Sequence, residues 1–154
     1  MIASPRLTAF LTSLLLLSAS SDAHAQAHQS RGGACSIRSS TVDSRSIPPA
    51  VAAARGFSAA ADVAIVNVTV RCKGGRRNGN GNGTVPAKIA VTRRDAVGTR
   101  EAVEMHLDRQ NGYVSYYGTY PRVAGAVVTL TVTATPKGAS RPVVLSYRHR
   151  FAAR

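Results

Sequence analysis

Apolar and polar residues alternate along much of this chain with a period of two, which is the pattern of half-buried β-strands. In the clearest case, Val66, Val68 and Val70 share one face of a segment whose other face turns polar toward its end. Cys72 ends this segment on the valine face. The predicted strands are 35–43, 63–72, 87–92, 103–108, 113–120, 127–135 and 143–151. About seven short strands separated by turns predict an all-β fold, an immunoglobulin-like antiparallel β-sandwich.

Turn-forming residues separate these segments. The Asn-Gly pair at 111–112 is a strong hairpin signal, so the best-defined hairpin is predicted over 103–120. The segment 73–84 reads KGGRRNGNGNGT and predicts a mobile loop. A phosphate-binding loop is the alternative, but the segment matches neither G-x-x-x-x-G-K-[ST] nor G-x-G-x-x-G. The Ala-rich stretch 50–61 follows two prolines and predicts an irregular connection with at most a short helical turn.

The first 25 residues have the three parts of a cleavable export signal. Arg6 gives a short basic start and an apolar stretch follows from Leu7 to Ala19. Ala23 and Ala25 fit the A-x-A pattern of signal peptidase, which predicts cleavage after Ala25, with a second frame two residues later. The apolar stretch is shorter than the ~20 residues needed to span a bilayer, so no transmembrane anchor is expected after cleavage.

Removing the signal peptide 1–25 leaves enough chain for one domain with one core. Residues 26–34 are polar, contain glycine and show no period, so they are predicted to form a flexible mature N-terminus. Residues 35–154 are then predicted to be the folded domain. We expect the mature protein to be exported to the periplasm.

Cys35 and Cys72 are the only two cysteines. Two thiols exported together into an oxidising compartment are predicted to form one disulfide, which closes a loop with 36 residues between its ends. In the chain-entropy model, a cross-link over such a loop is worth about 4 kcal/mol of stability. The disulfide also removes both thiols from nucleophilic chemistry.

The net charge of +13 is strongly basic, and 17 of the 20 basic residues are arginine. Such a surface favours binding to nucleic acid, lipopolysaccharide phosphates or acidic polysaccharide. The arginine bias and the excess of Ala and Gly are also typical of a GC-rich genome, in which case the charge serves solubility. The tightest basic group is the candidate anion-binding set Arg71, Lys73, Arg76 and Arg77.

Candidate catalytic chemistry is sparse. Glu104, His106 and Asp108 alternate along one predicted strand, so their side chains are expected to share a face that could hold a metal or an acid–base pair. The solvent face of a hairpin is the favoured interpretation of these residues. Neither H-E-x-x-H nor G-x-S-x-G occurs. The sequence therefore predicts a protein that is not an enzyme and that has no cofactor and no metal site.

Four tyrosines lie close to two arginines in the same part of the chain. Such a group could stack on sugars or bases and bind phosphate. Cross-strand packing is the more common use of strand tyrosines. The candidate surface-contact residues are Arg109, Tyr113, Tyr116, Tyr117, Tyr120 and Arg122.

The string Ala34-Cys35-Ser36-Ile37, followed by Thr41-Val42-Asp43 and Ile47, resembles the start of chaperone–usher pilus subunits. In those proteins a cysteine opens the first strand and a second cysteine ends the next, as Cys72 would here. Spore coat protein U-like secreted domains share this layout. The resemblance covers the mature chain in layout, and its specific part is about 40 residues.

The resemblance implies a pilin-type sandwich that lacks one strand. A neighbouring fibre subunit would complete it by strand complementation, and a periplasmic chaperone would cover the groove before assembly. The implied function is a structural or adhesive subunit of a bacterial surface fibre, located in the periplasm and then at the cell surface or in a fimbrium. Residues 26–34 lack the large apolar side chains of a donor strand. The alternative is a self-complete basic module that binds anionic polymers: polysaccharide, lipopolysaccharide or nucleic acid.

Overall fold

The computed structural model describes residues 26–58, 62–74 and 83–153. Their strands are β1 Ala27–Gly32, β2 Cys35–Asp43, β3 Val63–Cys72, β4 Ala87–Arg94, β5 Arg100–Val103, β6 His106–Gln110, β7 Tyr113–Pro121, β8 Val127–Pro136 and β9 Val143–Arg150. The first sheet has the order β1-β2-β3-β7-β6 and the second the order β5-β4-β8-β9. The registered strand pairs are antiparallel. The predicted all-β antiparallel sandwich is confirmed.

The core lies between the inner faces of the two sheets and is built by alternation. Along β8, Val128, Leu130 and Val132 are buried, while the threonines between them are only partly covered. The valine face of β3 opposes them and is also fully buried. Burial alternates with a period of two along β2 in the first sheet and β8 in the second, as the sequence pattern predicts, because successive strand side chains point to opposite faces.

The disulfide predicted from the sequence is present. Cys35 and Cys72 are directly opposite each other at the matching ends of β2 and β3, with their Cα atoms 4.0 Å apart and an S–S distance of 2.01 Å. Both side chains are half-buried against the core. The cross-link therefore fixes the register of these two strands.

The structure differs from the sequence prediction at residues 26–34, which were expected to be a flexible N-terminus. Ala27–Gly32 instead forms β1, which pairs along its whole length with β2 at the edge of the first sheet. The turn between them uses Gly33, whose φ of 60° suits glycine. An edge strand needs few apolar contacts, and here His28 supplies one by stacking on Tyr147 of β9 at a ring-centroid distance of 4.0 Å.

The predicted strand 103–108 is divided between the two sheets. β5 ends at Val103 in the second sheet, and β6 begins at His106 in the first. Gly118 of β7 makes this crossover possible, since a Cβ atom there would lie 2.5 Å from the carbonyl oxygen of Glu104 and 2.7 Å from the Sδ atom of Met105. The glycine therefore leaves room for the chain to pass from one sheet to the other.

The connection between β2 and β3 contains a 3-10 turn, Ser44–Ser46, and one short helix, α1 Pro49–Ala54. Proline is suited to the first helical position because its missing N–H has no helical partner to lose. Ala52 is buried, and the hydroxyl of Tyr117 on β7 donates a hydrogen bond of 2.8 Å to the Arg55 carbonyl. Within the described residues, no helix is long and apolar enough to cross a membrane.

Candidate functional site

The predicted basic group at the end of β3 is only partly described. Arg71 and Lys73 are exposed, whereas Arg76 and Arg77 lie outside the described residues. Arg71 lies on the outer face of the first sheet, where it lines a cleft of about 190 Å³ together with Arg38. The structure thus places Arg71 beside Arg38 on this face of the first sheet.

The six predicted surface-contact residues do not form one surface. Tyr116 and Tyr120 point into the core and are 8% and 5% exposed, and the Tyr116 hydroxyl accepts a hydrogen bond from a backbone N–H of β4. Arg122 is also buried, with its Nε atom 2.7 Å from the carboxylate of Asp43. These three residues stabilise the fold and are not available to a ligand, which corrects the prediction for them.

The other three members of that set are separated by their packing. Tyr117 is half-buried under the helical connection, and the Arg55 guanidinium lies 5.8 Å from its ring centre. Tyr113 is half-buried and Arg109 is exposed at the β6–β7 hairpin. Most of these six side chains therefore pack against neighbouring strands or against the helical connection.

The predicted row of Glu104, His106 and Asp108 is broken by the crossover between the sheets. Glu104 lies in the connection, and only the other two belong to β6. Asp108 forms a 3.1 Å ion pair with Arg55, and the ring of His106 lies 5.5 Å from that of Tyr117. These groups take part in packing the helical connection onto the sheet.

A row of three arginines and one threonine crosses the outer face of the second sheet. Arg100 of β5 is opposite Arg94 of β4, Arg94 is opposite Thr129 of β8, and Thr129 is opposite Arg148 of β9. We call Arg100, Arg94, Thr129 and Arg148 the arginine row. Neighbouring strands lie about 4.8 Å apart, so the row places three guanidinium-bearing side chains across about 14 Å of a flat surface.

A second row, made of hydroxyl side chains, lies beside the arginine row on the same face. Thr92, Thr131 and Ser146 are cross-strand partners there, and the Thr131 and Ser146 hydroxyls are 3.2 Å apart. We call these three residues the hydroxyl row. Together with Arg94, Arg100 and Thr129 they line a shallow cleft of about 320 Å³. The cleft offers positive charge next to hydrogen-bonding groups.

The carboxylates near the arginine row form no ion pair with it among the described residues, although Asp95 lines a cleft together with Arg94 and Arg148. None of its three arginines forms an ion pair with another residue in the described ranges. Glu101 faces the other side of β5, where it pairs with Arg93. Asp95, in the turn after β4, uses its carboxylate to accept hydrogen bonds from two backbone N–H groups of that turn.

Sequence reasoning missed the arginine row because its members are far apart in the chain. Arg94 and Arg100 are directly opposite each other, an arrangement of like charges that destabilises a sheet. The four alternating threonines of β8 were the available signal, since they mark an outer face with little apolar cover. Only the strand order and register bring the three arginines onto that face.

A buried polar cluster lies elsewhere, between the two sheets. The Tyr147 hydroxyl is 3.0 Å from each of the hydroxyls of Ser39 and Thr41, and all three side chains are buried. Burial raises the pKa of Tyr147 despite these two hydrogen bonds, and it raises the pKa of Tyr120 as well. The cluster is enclosed by the sandwich, so we interpret it as part of the core.

The profile of one protein family matches residues 29–152, from within β1 to beyond the end of β9. The chain belongs to the DUF4426 family. The family is described as a domain of unknown function. No curated protein matches the sequence significantly. Because the match begins within β1, it agrees with the structure that this strand is part of the domain.

Solved structures with the same fold include another DUF4426 protein. PA0388 from Pseudomonas aeruginosa PAO1 is 17% identical, with a TM-score of 0.69 over 83% of this chain and 96% of that one. A copper-bound variant of FetP from uropathogenic Escherichia coli strain F11 is 14% identical, with a TM-score of 0.54 over 82% and 95%. FetP as isolated, recombinantly expressed in the E. coli periplasm, is 16% identical, with a TM-score of 0.53 over 82% and 94%.

The family assignment overturns the resemblance to pilus subunits and spore coat protein U domains. The two-cysteine pattern at the start of the domain correctly predicted the disulfide, but the family that it indicated was wrong. A disulfide between two adjacent strands is compatible with many exported β-sandwiches, so it does not identify the family. The chaperone and fibre-subunit partners depended on that resemblance and are not carried further.

One of these FetP structures contains copper. Residues 26–58, 62–74 and 83–153 contain no group of three or more His, Cys, Asp and Glu side chains that could hold a metal ion. Both cysteines are in the disulfide. At these identities the likeness to FetP shows the fold alone.

Proposed function

We propose that this DUF4426 protein is an exported, non-catalytic module that binds acidic polysaccharide on the outer face of its second sheet. The arginine row is the observation that carries the proposal. Three arginines without an acidic partner among the described residues cross that face, and two of them are directly opposite each other. An anion bound between Arg94 and Arg100 would replace their mutual repulsion by attraction.

The fold supports a rigid binding surface. The arginine row and the hydroxyl row lie on strands whose opposite faces are packed in the core, so their backbone positions are fixed. A long polymer can contact all four strands of a flat sheet face, whereas a small anion would contact one pair of arginines. The shape of the face therefore favours an extended ligand.

The side chains of this face favour polysaccharide over single-stranded nucleic acid. Proteins that hold single strands stack the bases on aromatic side chains. The β4, β5, β8 and β9 residues that form the described outer face include no aromatic residue. Threonine and serine hydroxyls can both donate and accept, which suits the hydroxyl groups of sugars next to each carboxylate. The predicted signal peptide would carry the protein to the cell envelope, where such polymers occur.

The proposal is tested by titrating fluorescently labelled polygalacturonate with the mature protein and measuring anisotropy. The variant Arg94→Gln/Arg148→Gln removes two contacts, each worth about 0.2–1 kcal/mol at an exposed site, so we expect binding to weaken about tenfold. Binding should also weaken steeply with added salt. The control Arg109→Gln/Arg141→Gln removes the same charge from exposed positions outside this face and should change binding little.

Equal weakening in both double variants would refute the site, because it would show that only net charge matters. Equally tight binding of single-stranded DNA with the same number of charges would refute the choice of polysaccharide. Failure of the wild-type protein to bind the polymer at low salt would refute the proposed function as a whole.

A further inference from the structure

The outer face of the first sheet carries a second basic cluster. Arg31 of β1 and Arg71 of β3 are both cross-strand partners of Ser36 on β2. Arg38 lies one row further along β2 on the same face, where it is opposite Gln29 and Thr69. We call Arg31, Arg38 and Arg71, with Ser36, the first-sheet cluster.

The first-sheet cluster has the same chemistry as the arginine row. Its cleft is lined by Gln29, Ser36, Arg38, Thr69 and Arg71, without a carboxylate among these described residues. Its three arginines form no ion pair within the part of the chain that the structure describes. It therefore also presents unneutralised positive charge beside hydrogen-bonding side chains.

The two clusters face in opposite directions. Each lies on an outer sheet face, and the hydrophobic core separates the two sheets. Packed sheets lie about 10 Å apart, and both sets of arginines project further outward from them. A straight stretch of polymer that lies along one face therefore cannot contact the other.

We propose that one molecule of this protein holds two acidic polysaccharide chains at once, one on each outer face, and so cross-links them. This inference rests on the proposed function. Binding to either face alone is weak, because it depends on a few exposed ionic contacts. A protein with two such faces in a network of polymer gains avidity, because the second contact forms at high local concentration.

A capture assay tests the cross-link directly. Beads coated with polygalacturonate are loaded with protein at low salt, washed, and incubated with fluorescent polygalacturonate. The wild-type protein should retain the fluorescent polymer on the beads. The first-sheet variant Arg38→Gln/Arg71→Gln should still load through the second sheet but lose at least about 80% of the captured fluorescence, since two of its three arginines are gone.

The second-sheet variant Arg94→Gln/Arg148→Gln should lose capture as well, and the control Arg109→Gln/Arg141→Gln should retain it. Thermal unfolding of each variant confirms that it folds. Capture that persists in the first-sheet variant would overturn the cross-link while leaving the second-sheet site intact. Wild-type protein that loads onto the beads but captures no fluorescent polymer would also overturn the cross-link. Absence of loading by the wild type would instead refute the proposed function.

Discussion

Substituting Tyr147 by phenylalanine removes a single oxygen atom from the interior of the sandwich. The lost hydroxyl is 3.0 Å from those of Ser39 and Thr41, and both of these side chains are 1% exposed. The change opens almost no cavity, because the ring remains. Its effect should therefore report the hydrogen bonding of this cluster rather than its packing.

The size of the effect follows from the two hydroxyls that lose their partner. A typical buried hydrogen bond contributes about 0.5–1.5 kcal/mol, and an unsatisfied buried group costs about 1–3 kcal/mol. We expect Tyr147→Phe to lower the free energy of unfolding by about 2–3 kcal/mol. Urea unfolding followed by circular dichroism measures this as a shift of the midpoint with little change in slope.

The triple variant Ser39→Ala/Thr41→Val/Tyr147→Phe makes the test sharper. When Ser39, Thr41 and Tyr147 all lose their hydroxyls, none of these three groups is left unsatisfied, so the triple variant should be at least about 1 kcal/mol more stable than Tyr147→Phe alone. Tyr113→Phe is the matched control, because Tyr113 is only half-buried. A triple variant as unstable as the sum of the separate changes would refute the reasoning.

Three further predictions concern the cross-link, the acid response and the crossover. Cys35→Ala/Cys72→Ala opens a loop that spans 37 positions and should cost about 4 kcal/mol in urea unfolding, and reductant should have the same effect on the wild type only. Burial, followed by the charge of His28, lowers the pKa of His149 below its usual 6.5. The folded state thus resists protonation, so the free energy of unfolding should fall as the pH drops below 6.5, and His149→Gln should flatten this slope. Gly118→Ala forces a methyl group against the Glu104 carbonyl and should cost about 1–3 kcal/mol, whereas Gly98→Ala, with open space around its Cβ position, tests backbone strain alone.

The sequence correctly predicted those strands in which one face is strongly apolar. The valine face of β3 and the alternating β8 have the predicted period, and the position of Cys72 on the valine face was consistent with a disulfide at the edge of the core. β1 was missed because its residues show no hydrophobic period: it is held by backbone hydrogen bonds to β2 and by contacts with β9 that include the His28 ring and Gly32. The division of 103–108 was missed because it depends on the space that Gly118 leaves in a different strand.

The net charge of +13 has two explanations, which are binding to an anionic polymer and a codon bias toward arginine. The positions of the arginines distinguish these explanations better than their number does. A codon bias would place arginines wherever the fold tolerates them, including exposed positions with and without partners. The arginines at 55, 93 and 122 are paired with carboxylates and pack on aromatic rings, so they have structural roles. The arginine row and the first-sheet cluster have neither, although Arg94 is directly opposite Arg100 at a cost to the sheet. A bias in composition gives no reason to keep that repulsive pair on a face that also holds the hydroxyl row. A polyanion bound across the face, as proposed, would supply one, because the charges that repel each other in the free sheet would stabilise the complex.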